Sequence, residues 1–316
     1  MSLSIVICTR DRPSMVRLVL GSLAPLPAVF DVHVVDQSTD RSTIEVVEEL
    51  ATDFGPDRLH VHHQALAGAA RARNRGYRES KGELVAFLDD DVTVHRDWLD
   101  VALSVFADPA AALAYGQVLV PEALTDEVSR GKIVPSLVWS DRNVLRRPAP
   151  FRLWGMSANM VVRRSALDRI GGFDETLGVG GVCRAGEDFD FSYRIWTTGL
   201  AIVNEPALRV DHYGMRSEDQ WPTTLANYGF GDGAFFMKHL RCGDPAIVPV
   251  LLRHVALLAA RNAKDCLRKR RRVPNVYLDN LWKGMRFSRG MGIDPTRKYV
   301  WSGAAVSTDA NPISTR

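Results

Sequence analysis

Residues 84–94 read LVAFLDDDVTV: five apolar residues run straight into three consecutive carboxylates. A continuous apolar run of this length reads as a strand buried on both faces, with its last residues emerging beyond the sheet. Working outward, LSIVIC (3–8), VHVVD (32–36) and LHVHH (59–63) read as further strands. Helical patterns fall between them at 13–24, with Pro13 in the first turn, and at 41–51, 67–79 and 96–106. Apolar strands alternating with helices predict an α/β fold, a mostly parallel, Rossmann-like sheet flanked by helices. Such sheets bind ligands beyond the carboxyl ends of their strands. Thr9, Arg10, Asp36 and Asp89, Asp90 and Asp91 all fall at such ends.

Residues 121–150 lose this rhythm and carry Pro121, Pro135, Pro148 and Pro150, which predicts an excursion over one edge. Order returns at WGMSANMVVRR (154–164), followed by a short helix, the turn GGFDE (171–175), the loop GVGG (178–181) and AGEDFDFSYRIW (185–196). The last segment has a helical stripe of Phe189, Tyr193 and Trp196, which reads as core. The C-terminal third is helical in pattern. Its most apolar part, AIVPVLLRHVALLAAR (246–261), is too short and too interrupted by Pro249, Arg253 and His254 to span a bilayer.

At 316 residues there is room for one large α/β domain with an appendage. The start, MSLSIVICTR, has no basic leader, so no secretory signal is expected. Cys8, Cys183, Cys242 and Cys266 are far apart, which suits reduced thiols of a cytoplasmic protein better than a disulfide framework or a zinc site. The net charge of +3 hides an asymmetry: 14 Lys/Arg face 4 Asp/Glu from Arg253 onward, against 26 and 33 before it. The basic segment 246–272 therefore reads as a helix packed on the body, as a homodimer contact, or as a peripheral contact with anionic lipid at the inner face of a membrane. Packing or dimerisation is preferred. Without interleaved aromatics the segment is not a nucleic-acid surface.

Two chemistries compete for the three aspartates. Asp89, Asp91 and Thr93 match the D-x-D-x-T spacing of haloacid-dehalogenase-like phosphatases. That family places the motif on its first strand and needs a downstream lysine, whereas here a βαβαβα stretch precedes it and only Lys132 and then Lys238 and beyond follow. The alternative is a hard divalent cation, Mn²⁺ or Mg²⁺, holding a diphosphate. In an extended strand end Asp89 and Asp91 project to one side and Asp90 to the other. Asp36 is placed to accept a ring N–H of uracil or thymine, to form an Asx turn, or both. Arg71, Arg75 and Arg78 read as a solvated helix face, and His60, His62 and His63 as ordinary strand residues. No G-x-G-x-x-G follows the first strand, which disfavours a dinucleotide fold. CTRDRP also lacks the glycine- and lysine-rich loop of a sugar-nucleotide pyrophosphorylase.

SIVICTRDR, VVDQSTD, ARNRGY, LDDD, GGFDE and GEDFDFSYRIW occur in this order across the first 215 residues. The succession resembles the family 2 glycosyltransferases. The resemblance implies a GT-A catalytic domain at 1–215, with a nucleotide-sugar half at 1–117 and an acceptor half at 118–215, followed by a helical, basic extension at 216–316. It implies Asp91, Asp89 and His212 as metal ligands. Thr9, Arg10, Asp36, Arg73, Asn74, Asp89 and Asp90 fall to the nucleotide-sugar, and Asp188 becomes the general base with Glu187 in support. Asp190 is the rival base. The expected reaction is inverting transfer from a UDP- or dTDP-sugar to a hydroxyl of a glycan, lipid-linked sugar or small molecule. Gln220–Trp221 lacks the R-W of the Q-x-x-R-W motif, which argues against processive synthesis. A non-catalytic nucleotide- or glycan-binding module is the non-enzyme alternative.

Overall fold

A computed structural model describes residues 1–152, 155–269, 275–294 and 300–301. Trp154 and the arginines at 270–272, which entered the expectations above, lie outside the described residues. The first half winds through β1 (Leu3–Thr9), α1 (Pro13–Leu23), β2 (Phe30–Asp36), α2 (Ser42–Phe54), β3 (Leu59–His63), α3 (Ala69–Glu79) and β4 (Leu84–Asp89). Then follow β5 (Val92–Val94), α4 (Trp98–Val105), β6 (Ala111–Leu119), α5 (Thr125–Ser129), β7 (Asn143–Leu145), β8 (Asn159–Arg163), α6 (Arg164–Ile170), α7 (Glu187–Thr197) and β9 (Ala201–His212). Three helices complete the fold: α8 (Trp221–Arg241), α9 (Ile247–Lys269) and α10 (Val276–Ser288).

All strands join one sheet in the order β3-β2-β1-β4-β8-β6-β9-β5, with β7 also on β9. β1 to β4 are mutually parallel, as the strand–helix alternation requires. The second half is mixed: β8 runs antiparallel to β4 and β6, and β5 and β7 run antiparallel to β9. The long connection before β8 lets the chain re-enter from the opposite end, which no helix crossover constrains.

Side-chain alternation along the strands builds two cores. Leu3, Ile5 and Ile7 of β1 join Val32, Val34, Leu84 and Ala86 under α1 and α2, where Val16, Val19, Leu20 and Val47 are buried. Val6, Val85, Phe87, Met160 and Val162 face the other way, against Ala70, Phe189, Tyr193 and Trp196. Each fully buried aliphatic or aromatic side chain adds about 1.5–3 kcal/mol. The stripe on α7 is core, as its spacing predicts.

The C-terminal helices belong to that second core. Phe235, Phe236, Leu281 and Met285 pack with Phe189 and Tyr193. α8 and α10 approach so closely that a Cβ on Gly284 would lie 1.9 Å from the Phe230 carbonyl oxygen, and one on Gly233 2.0 Å from that of Leu281. Lys238 of α8 is fully buried, its Nζ 2.8 Å from Asp174 and 2.6 Å from Asp190. On α9, His254 packs against Phe189 and Phe236, while Leu252, Leu257 and Leu267 are exposed. Among the described residues no helix is long and apolar enough to cross a membrane.

Candidate active site

The parallel register of β1 with β2 and β4 sets the site. Thr9 lies beside Asp36, and Cys8 beside Asp89, so three loops open at one edge of the sheet. Beyond β4 the chain turns at once into β5, whose first residue, Val92, pairs with His212 at the end of β9. Asp91 is thereby brought to His212, with Oδ1 3.2 Å from Nε2. One donor atom from each of Asp89, Asp91 and His212 lies within 4.8 Å of the others. The three ligands expected from sequence are together. β5 also separates the acids from α4, so they do not cap that helix.

β4 ends at Asp89, so Asp90 and Asp91 lie in a turn rather than an extended strand end, and their carboxylates meet at one arginine instead of projecting to opposite sides. Asp90 Oδ2 accepts the Thr9 hydroxyl at 2.7 Å, and its Oδ1 lies 2.8 Å from Arg12 Nη1, which also reaches Asp91 Oδ2 at 2.9 Å. Arg12 is a site residue that the sequence reading missed. Arg10, which that reading named, is exposed and among the described residues forms an ion pair with Asp11 alone. Burial pushes Asp90 up to about 6 against the opposing charge of Arg12. Burial also works to raise Asp91, but the hydrogen bond and charge of His212, together with Arg12, hold it at about 2. Burial alone would lower His212; Asp91 raises it instead. Close passage of the next segment depends on Gly214, where a Cβ would fall 2.6 Å from Asp91 Oδ2.

Asp36 is completely buried. Its Oδ1 accepts the Ser38 amide at 3.0 Å and the Ser38 hydroxyl at 2.5 Å, which is the expected Asx turn. Its Oδ2 is buried without a protein donor.

α3 runs antiparallel to the strands, so its N-terminal half overlies their carboxyl ends. From there Arg73 reaches Asp89 with Nη2 at 3.2 Å and Glu187 with Nη1 at 3.1 Å, joining the Asp89–Asp91–His212 cluster to the start of α7. Asn74 is committed elsewhere: its amide spans the GGFDE turn, donating to the Phe173 carbonyl at 2.9 Å and to Glu175 at 3.0 Å, and accepting from the Phe173 amide at 2.8 Å. It shapes the wall of the site without facing the carboxylates.

Asp188, in the first turn of α7, accepts the Ser157 amide at 3.0 Å through Oδ2, and its Oδ1 is buried with no donor. Burial, with the charge of Glu187 added, pushes it up to about 6. Asp190, the rival base, is enclosed. Burial would raise it, but Lys238, Arg194 and His239 hold it far below the carboxylate range. Lys238 is spent on this cluster, and Lys132 is an exposed surface residue, so neither supplies the phosphate-binding lysine that a phosphatase reading needs.

Asp36 Oδ2, Asp188 Oδ1 and His212 Nδ1 are thus buried polar atoms without a protein hydrogen bond among the described residues, although His63 Nδ1 lies 3.9 Å from Asp36 Oδ2. Such atoms carry a desolvation cost unless a ligand meets them. A divalent ion fits the Asp89–Asp91–His212 donor set, which mixes hard oxygen ligands with one imidazole.

A family model described as "Glycosyl transferase family 2" matches residues 4–171. Pre-mycofactocin glycosyltransferase of Mycobacterium tuberculosis is 31% identical over 246 residues, which cover 78% of this chain and 50% of that protein. Validoxylamine A glucosyltransferase of Streptomyces hygroscopicus subsp. limoneus is 29% identical over 232 residues, 64% of this chain and 49% of the relative. The chain spans about half the length of these curated relatives. Among solved structures, the mannosyltransferase PcManGT from Pyrobaculum calidifontis, in complex with GDP-Man and Mn²⁺, superposes with a TM-score of 0.59 at 18% identity, covering 90% of this chain and 86% of that one. S. aureus TarS 1–349 with UDP-GlcNAc gives 0.56 at 20% identity, covering 69% and 60%.

Proposed function

The chain belongs to glycosyl transferase family 2, and from that premise we propose that it is a metal-dependent, inverting glycosyltransferase acting on a pyrimidine nucleoside diphosphate sugar. Its sheet is the GT-A fold. The carrying observation is the convergence of the Asp89–Asp91–His212 donor set with the carboxylate oxygens of Asp36 and Asp188 that accept no hydrogen bond, at one edge of that sheet.

Asp36 has one free oxygen, because Ser38 occupies the other. Uracil and thymine each offer a single ring N–H and suit one acceptor. Guanine offers two adjacent N–H groups and suits a carboxylate with both oxygens free. Hence UDP or dTDP is preferred to GDP. Asp89, Asp91 and His212 would hold Mn²⁺ or Mg²⁺, and the ion would neutralise charge growing on the departing diphosphate. Thr9 and Arg12 fix Asp90 beside the ribose and phosphates, and Arg73 keeps Asp89 and Glu187 in register across the site.

Asp188 takes the acceptor proton. As the acceptor oxygen forms its bond to the anomeric carbon, the bond from that carbon to the phosphate oxygen breaks on the opposite face, and the hydroxyl proton passes to Oδ1. A single displacement of this kind inverts the anomeric centre. A carboxylate at about 6 is a stronger base than an ordinary one and is still mostly ionised at neutral pH. The proposed catalytic unit is 1–215, divided near 117 into donor and acceptor halves, with 216–316 as its helical extension.

Calorimetry with UDP, dTDP and GDP, each with and without Mn²⁺, tests this reading. Metal-dependent binding of UDP or dTDP is expected. Binding of GDP in preference to both would overturn the role given to Asp36, and no binding by any of the three would overturn the whole reading.

A further inference from the structure

Four of the chain's eight histidines, His33, His60, His62 and His63, lie on β2 and β3, the latter at the sheet's edge. Parallel pairing sets His33 beside His60, and Asp31 shares the face of His33 two residues earlier on β2. His33 Nε2 lies 3.1 Å from Asp31 Oδ2, and its Nδ1 lies 3.0 Å from His62 Nε2. The rings of His33 and His60 stack with centroids 4.8 Å apart. One donor atom from each of Asp31, His33 and His60 lies within 4.8 Å of the others. His33 is buried, while Asp31, His60 and His62 are half-exposed, so the group opens to solvent on one side. Asp36 closes the opposite end of β2, which keeps this cluster apart from the candidate active site.

We propose that Asp31, His33 and His60 form a second metal centre, suited to Zn²⁺ or a neighbouring late first-row divalent ion. Two imidazoles and one carboxylate are the donor set of an open zinc site, and too soft a set for Mg²⁺. Zinc–ligand distances of about 2.0–2.2 Å put neighbouring donors a little over 3 Å apart, close to the separation between His33 and Asp31. His62 completes the arrangement from behind. With metal bound it would accept the Nδ1–H of His33 across their 3.0 Å contact, fixing the ligating imidazole in the tautomer whose Nε2 is free for the metal. An ion pair between His33 and Asp31 would need neither the stacked His60 ring, which makes no hydrogen bond among the described residues, nor the His62 acceptor. The metal centre uses all four residues. It would clamp the edge strand to β2 and so stiffen the strand that carries Asp36.

Metal-stripped full chain, dialysed against Zn²⁺ and counted by plasma mass spectrometry, tests the proposal alongside His60→Gln, Asp31→Asn, His62→Leu and His212→Gln. Circular dichroism and cooperative thermal unfolding confirm that each variant folds. His60→Gln should bind one zinc equivalent fewer than the unmodified chain, and Asp31→Asn should bind that equivalent at least tenfold more weakly. His62→Leu should weaken it by about 10–100-fold, the usual effect of losing an outer hydrogen bond. Because the Asp89–Asp91–His212 group can also take zinc, His212→Gln serves as a background in which adding His60→Gln should still remove one equivalent. Equal zinc content in the unmodified chain, His60→Gln and Asp31→Asn overturns the centre, as does equal zinc content in His212→Gln with and without His60→Gln.

Discussion

Replacing Asp188 with Asn separates its chemistry from its place in the fold. The Asn carbonyl can accept the Ser157 amide as Oδ2 does now, and its NH₂ then stands where Oδ1 stood, so the anchor is kept. What disappears is a carboxylate raised from its ordinary 3.8 to about 6 by burial and by Glu187. A difference of that size costs the folded state on the order of 3 kcal/mol whenever the group is ionised. Below the unfolded value the carboxyl is protonated in both states and the cost vanishes. It grows as pH rises from there and is complete above about 6. Asp188→Asn should therefore melt several degrees higher than the unmodified chain at about pH 7.5, a gain that shrinks towards about pH 4. Transfer should fall by about 10²–10⁴, the contribution of one positioned base, with nucleotide binding unchanged. Release of nucleoside diphosphate, calorimetry and melting at the two pH values read the three quantities. Turnover close to that of the unmodified chain would remove Asp188 from the role of base. A lower melting temperature at about pH 7.5 would show that the carboxylate supports the fold and would refute the electrostatic reasoning.

Three further outcomes follow from the same geometry. With Asp188 required ionised, kcat/KM should fall tenfold per pH unit below about 6, and a profile flat through that range would contradict its assignment. In Gly214→Ala, the new Cβ meets Asp91 Oδ2 at 2.6 Å and His212 Cε1 at 2.8 Å, so these ligands must shift by several tenths of an ångström, beyond the roughly 0.2 Å tolerance of a metal site; the Mn²⁺ needed for half-maximal activity should rise about tenfold, and an unchanged Mn²⁺ titration would count against the Asp91–His212 pair as ligands. Lys238→Met removes the cation between Asp174 and Asp190 and should cost about 3–5 kcal/mol in urea unfolding. An unchanged urea midpoint would show that the buried cluster is not held by Lys238.

Strands ending in acids were legible in sequence because burial on both faces leaves a continuous apolar signal, as in LVAFLD, and a carboxylate interrupts it at a definite place. That was enough to bring Asp36, Asp89 and Asp91 to one edge. The proximity of Asp91 and His212 was legible only through family resemblance, since it depends on a three-residue strand pairing across more than a hundred residues. Arg12 escaped because an arginine in a D-R-P turn looks like surface; only the parallel register of β1 and β4 shows that its loop lies over the aspartates. β6 escaped for a different reason: AALAYGQVL has three alanines and a single β-branched residue, so its strand character comes from the neighbours that flank it. The burial of α8 and α10 was hidden by the charge of the surrounding segment. Lys238 reads as a solvated residue until its two carboxylates are seen.

The buried Asp174–Lys238–Asp190 cluster bears on how such a chain can be inherited. Two of its charges sit in the GGFDE and GEDFDFSYRIW segments, and the third sits in α8, beyond residue 215. A recombination event that cut near residue 215 and joined the first part to a foreign tail would leave Asp174 without its cation in the protein interior. The junction that looks natural by motif is thus closed by electrostatics, and the helical tail would be expected to descend with the sheet as one heritable piece.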